Sequence, residues 1–138
     1  IQKRIQRCNE YFSEISKKLD GASSLLSADF VDETYEFKGT NTEGNLGTGS
    51  KKSQIVSFDL AYIKFADSLN IPCMHFMMLD QIENVHENQI SNLLTEIVDE
   101  VNCQLVLPVL KDKLPNNIDI TDFKILSLSH NNKLFKVD

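Results

Sequence analysis

A chain of 138 residues fits one domain, and 41% hydrophobic with 25% charged residues excludes a disordered tail. A net charge of −6 argues against a free-standing, strongly basic nucleic-acid binder. The three cysteines, Cys8, Cys73 and Cys103, are odd in number and lack a CxxC pair, so a disulfide framework is excluded and a reducing, cytoplasmic setting is expected.

Ile1, Ile5, Cys8, Phe12, Ile15 and Leu19 repeat at alternating steps of four and three, an a/d heptad seam with Gly21 as its stop. Two readings fit residues 1–20. One is an ordinary amphipathic helix packed on a domain, and the other is the end of a long coiled coil entering its head. The start at Ile1, in mid-heptad and without Met, favours the second and reads as a piece of a longer chain. Residues 24–31 and 33–38 carry β-type residues and read as two short strands. From Gly39 to Ser50 the sequence is loop-like, and four of the five glycines of the protein sit in or beside it.

A helix capped by Ser50 or Ser53 follows, with Ile55, Phe58, Tyr62, Phe65 and Leu69 along one apolar stripe and Pro72 as its end. The run 74–79 reads as a buried parallel strand closed by Asp80. A second helix is expected over 87–101, with Ile90, Leu93, Leu94, Ile97 and Val101 on one face. Residues 103–108 read as another buried strand, 111–120 as a polar connection, and 123–128 with 134–137 as a terminal hairpin. The order gives an α/β core with parallel central strands in a lobe over 21–138. No apolar run is long enough to span a bilayer, so no membrane contact is expected.

Chemistry concentrates where a Gly-rich loop opens a helix that leads to a strand ending in Asp80. A carboxylate at the C-terminal end of a parallel strand is where α/β sheets place ligand chemistry. A hard oxygen donor there suits Mg²⁺ and its waters on a nucleotide phosphate. Glycines beside a helix start offer backbone N–H groups to an anion. Each part alone has a plain structural explanation, a turn or a helix cap.

The stretch Leu46, Gly47, Thr48, Gly49, Ser50, Lys51 and Lys52 resembles the signature motif of ABC-type ATPases. Residues 55–66 resemble the helix after it, 76–80 the Walker B strand, 83–86 the D-loop, 105–112 the switch region, and Leu128 with Leu134 and Phe135 the last hairpin. The chain is similar to SMC-like bacterial ATPases, including the double-strand-break-repair enzymes with long coiled coils and an uncharacterised group related to them.

This resemblance implies the C-terminal half of a P-loop ABC-type head, preceded by a coiled-coil helix and ending in a β-hairpin. Its cofactors would be ATP and Mg²⁺, held across a homodimer of heads. Its partners would be the N-terminal P-loop half of the same protein and, beyond the head, DNA or other subunits of a complex. Asp80 would hold Mg²⁺ through water. Gly47, Thr48, Gly49, Ser50, Lys51 and His86 would meet the nucleotide. The implied settings are DNA maintenance or phage defence.

The sequence departs from the family's pattern. It contains no G-x-x-x-x-G-K-[ST], so ATPase activity requires the P-loop half. Gln81 stands where a catalytic Glu is usual, and an amide takes no proton from water. Glu83 is near enough to substitute. His86 is nearest to the D-loop aspartate, and Pro108, Val109 and Leu110 stand where a switch histidine is usual. These departures support a rival, a non-catalytic dimerising interaction module with degenerate motifs.

Among the other residues, His75 reads as a satisfied core histidine and Met74, Met77 and Met78 as core fillers. His86 and His130 read as solvated. Cys73, His75 and Cys103 lack zinc spacing, so a Cys/His metal site is not expected. Lys51 and Lys52 read equally as phosphate or DNA contacts and as solvated lysines.

Overall fold

The computed structural model describes residues 1–43, 48–80, 86–114, 116 and 118–135, with the backbone alone for 48–50. Helix α1 spans Gln2–Asp20. Gly21 closes it in the left-handed region at φ 81°, a conformation that costs a glycine nothing, and donates its N–H to Lys17 O at 2.9 Å. From Cys8 onward the heptad seam is consumed by the chain's own core: Cys8, Phe12, Ile15 and Leu19 are buried, while Ile1 stays exposed.

Strands β1 (Ser24–Val31) and β2 (Thr34–Asn41) form an antiparallel hairpin. The second strand runs three residues past its expected end at Lys38, through Gly39. The two turn residues, Asp32 (φ 47°) and Glu33 (φ 64°), both lie in the left-handed region, the type I′ geometry that matches strand twist. The hairpin hangs on α1 by side chains that mimic a strand. Asn9 Oδ1 accepts from Leu26 N–H at 2.7 Å, and Asn9 Nδ2 donates to Leu26 O at 2.9 Å. Ser16 Oγ accepts from Ser24 N–H at 2.7 Å. Beyond that base the hairpin stands in solvent, with Phe30 and Tyr35 packing on each other at 4.8 Å between ring centroids.

Helix α2 spans Thr48–Ser68 and packs along α1. Its buried face is Ser53, Val56, Ser57, Leu60 and Ala61. The stripe singled out from sequence is mostly elsewhere: Ile55, Tyr62 and Leu69 are exposed and Phe58 is half-buried, and only Phe65 is buried. The helix is apolar on two sides, so periodicity alone could not say which side the core takes. Its end precedes Pro72. Asn70 (φ 51°) takes the left-handed position, Asn70 N–H donates to Asp67 O at 3.1 Å, and Ile71 N–H donates to Ala66 O at 2.9 Å. That pair of bonds is a Schellman turn.

Strand β3 (Phe76–Met78) pairs in parallel with β4 (Gln104–Val106), Phe76 facing Gln104 in register. The connection is helical. It begins with α3 (Glu87–Asn92), widens to a π turn over Leu93–Ile97, and closes with a 3₁₀ turn at Val98–Glu100. Ile90, Leu93, Ile97 and Val101 are buried, as their spacing predicts. With Phe12, Ile15, Leu19, Val56 and Leu60 they form one core cluster. Each such side chain contributes roughly 1.5–3 kcal/mol by leaving water.

Several expectations are corrected. The two parallel strands are not buried: Met74 is 78% exposed, Met78 72% and Phe76 42%, so Met74 and Met78 fill no core here. Only one side of the pair is covered by described residues. His75 is exposed rather than a core histidine, and it pairs with Asp67. The terminal hairpin reduces, among the described residues, to one bridge between Ser129 and Asn132, with Phe123, Ile125, Leu128, Leu134 and Phe135 all exposed. Strand pairs of this length need a packed face, and this segment has none. The architecture is thus mixed α/β with two small sheets. No helix among the described residues is long and apolar enough to cross a membrane.

Candidate functional site

At the C-terminal end of β3, Leu79 is buried and donates its N–H to Val106 O at 2.9 Å, the last rung of the parallel pair. Asp80 follows immediately and is exposed. A carboxylate is a hard oxygen donor of the kind that divalent cations and their waters take. Gly47, Gln81 and Glu83 lie outside the described residues. Thr48, Gly49 and Ser50 form the first turn of α2, where N–H groups have no partner within the helix, and Lys51 beside them is exposed.

The starts of α2 and α3 are joined by one residue that periodicity does not mark. Gln89 is only 3% exposed. Its Oε1 accepts from the Ser53 hydroxyl at 3.1 Å and from His86 N–H at 3.1 Å, and its Nε2 donates to Asp20 Oδ1. Both lone pairs of the amide oxygen are thereby used. His86 is the N-cap residue of α3 and is exposed, as expected. Gln89 therefore ties the end of α1, the first turns of α2 and the first turn of α3 into one corner. The sequence signal for it was a Gln at the third helical position, the capping-box place. Asn92 Nδ2 reinforces the corner by donating to Lys18 O at 3.0 Å.

Behind β3 lies a groove of about 430 Å³ lined by Phe58, Asp59, Tyr62, Met74 and Phe76, among others. Asp59 is exposed at the rim of this apolar wall, and partial desolvation there holds its carboxyl above the ordinary value, with Lys52 opposing. At the other end of β3, Asp67, Cys73 and His75 bring one ligand atom each to within 4.8 Å of one another. Their spacing did not reveal this, because Asp67 comes from the last turn of α2. All three cysteines are free thiols. Burial pushes the Cys8 thiol up.

These features define a mixed α/β chain whose parallel strand pair is covered on one side by described residues and carries an acidic residue at its C-terminal end. Residues 11–138 match the family described as "Uncharacterised protein conserved in bacteria (DUF2326)", and the chain belongs to that family. No curated protein matches the chain.

Proposed function

We propose that this chain is the C-terminal lobe of an SMC-like ABC-type ATPase head. The observation that carries this reading is the half-covered parallel pair β3–β4, with Asp80 at its end and apolar Met74, Phe76 and Met78 facing outward. Parallel strands persist where both faces are covered, so this pair calls for further strands and a second layer. An N-terminal P-loop half of the same protein supplies both in heads of this class. The outward apolar stripe of α2 and the exposed apolar residues from Phe123 to Phe135 fit the same demand.

In this reading Asp80 would hold Mg²⁺ through water, and Gly47, Thr48, Gly49, Ser50 and Lys51 would meet the nucleotide phosphates of a facing head. Mg·ATP, when bound, would supply phosphate oxygens for residues of both heads to contact. Gln81 orients water, and Glu83 takes the proton that an amide cannot. Head closure then moves the coiled coil that α1 extends, in DNA maintenance or defence against phage.

The test is Mg·ATP hydrolysis and ATP-dependent dimerisation of the natural-length protein beside Asp80→Asn and Glu83→Gln. Loss of dimerisation in Asp80→Asn, with loss of turnover but retained dimerisation in Glu83→Gln, is expected. No nucleotide response in the unmodified protein would overturn the ATPase reading and leave an interaction module.

A further inference from the structure

Three groups that spacing does not connect meet at the N-terminal end of β3, opposite the end that carries Asp80. His75 Nε2 lies 2.7 Å from Asp67 Oδ1 and 4.0 Å from Cys73 Sγ. All three ligand atoms fall within 4.8 Å of one another. The backbone beneath them is fixed. Asp67 sits in the Schellman turn that ends α2, whose bonds from Asn70 and Ile71 are 3.1 and 2.9 Å. Pro72 restricts the chain just before Cys73. His75 O accepts from Gln104 N–H at 2.9 Å, which pins the residue to β4.

We propose that Asp67, Cys73 and His75 bind a zinc ion that ties the end of α2 to the start of β3. Zinc ligands at about 2.3 Å (S), 2.0–2.1 Å (N) and 2.0–2.2 Å (O) in tetrahedral array stand roughly 3.3–3.6 Å apart. The observed separations reach that by shifts of about 1 Å, within the rotamer freedom of three partly exposed side chains. A thiolate, an imidazole and one carboxylate are a donor set for zinc rather than for Mg²⁺ or Ca²⁺. Without metal, the same groups form the Asp67–His75 hydrogen bond. On binding, the Cys73 thiol releases its proton to solvent and the neutral imidazole carries its proton on Nδ1, leaving Nε2 for the ion. A second sulfur stands near. Cys103 immediately precedes Gln104, the residue paired with Phe76.

The experiment uses the natural-length protein, reduced and stripped with a chelator, then titrated with Co²⁺ and, in competition with a chromogenic chelator, with Zn²⁺. One Co²⁺ per chain is expected, with tetrahedral ligand-field bands and a thiolate-to-cobalt charge-transfer band. Cys73→Ser should abolish the charge-transfer band. His75→Ala and Asp67→Asn should each weaken Zn²⁺ binding by at least about tenfold, the loss that even outer partners of metal ligands produce. His130→Ala, remote in sequence and exposed, should leave both unchanged. Circular dichroism separates loss of the site from loss of the fold. Absence of the charge-transfer band in the unmodified protein, or its persistence in folded Cys73→Ser, would overturn the proposal.

Discussion

Replacing Gln89 with Ala should be among the most damaging single changes outside the apolar core. The residue is buried, and its amide makes three hydrogen bonds, to the Ser53 hydroxyl, the His86 N–H and the Asp20 carboxylate. A neutral bond of this kind contributes about 1 kcal/mol net, and one to a charged group about 1.5–3. The three are coupled through one side chain, so their sum is an upper figure, and a loss of about 3 kcal/mol is expected. Urea unfolding of the purified chain measures it. At a slope of about 2 kcal/mol/M the midpoint should fall by about 1.5 M, with the slope unchanged. Gln89→Glu provides the sign. It sets a carboxylate against Asp20 and removes the donor, so it should be at least as destabilising at pH 7. Part of the loss should return in acid, where a protonated carboxyl donates again. An alanine variant within about 0.5 kcal/mol of the unmodified chain would refute the corner as a structural tie.

Glu33→Gly should stabilise the chain by about 1 kcal/mol, because glycine adopts the φ of 64° without the penalty that a side chain meets there, and thermal unfolding should show the higher midpoint. Asp59→Asn should also stabilise, by about 0.5 kcal/mol or less given its surface position. The sign follows from the direction of its shift. A carboxyl whose folded pKa is raised opposes folding once it ionises, so the gain is present at neutral pH and vanishes as pH falls below the ordinary carboxylate range. Unfolding curves at pH 7 and pH 3.5 check this, and a gain that grew in acid would contradict it.

Much of the element order was legible because local signals agreed. The seam from Cys8 to Leu19 and the alternation around Tyr35 each specify one element that formed, and the face of Ile90, Leu93 and Ile97 specifies a helical segment that runs from α3 into the π turn. Asp80 at the end of a parallel strand was legible for the same reason, since apolar runs closed by an acid read as strand ends. What failed was burial. Two parallel strands rich in Met, Phe and Leu look like a core from sequence, yet Met74 and Met78 face outward because described residues cover only one side of the pair. The last segment, from Phe123 to Phe135, has strand-like composition but pairs with no strand among the described residues, where one bridge forms between Ser129 and Asn132.

Hydrophobic period and turn chemistry act over a few neighbours, so the residues alone specify α1, the β1–β2 hairpin and the body of α2, whereas the strand-like composition of 123–135 yields one bridge among the described residues. Long-range packing settles which face of α2 meets α1, since the helix is apolar on two sides. It alone brought Gln89 to Ser53 and Asp20, residues 36 and 69 positions apart. It also set Asp67 beside Cys73 and His75, through a turn whose bonds run between backbone groups that no side-chain pattern records. Contacts of this kind depend on where elements end and how they cross. Packing of the whole chain settles that, because the free energy of each contact is realised only when distant segments are already held together.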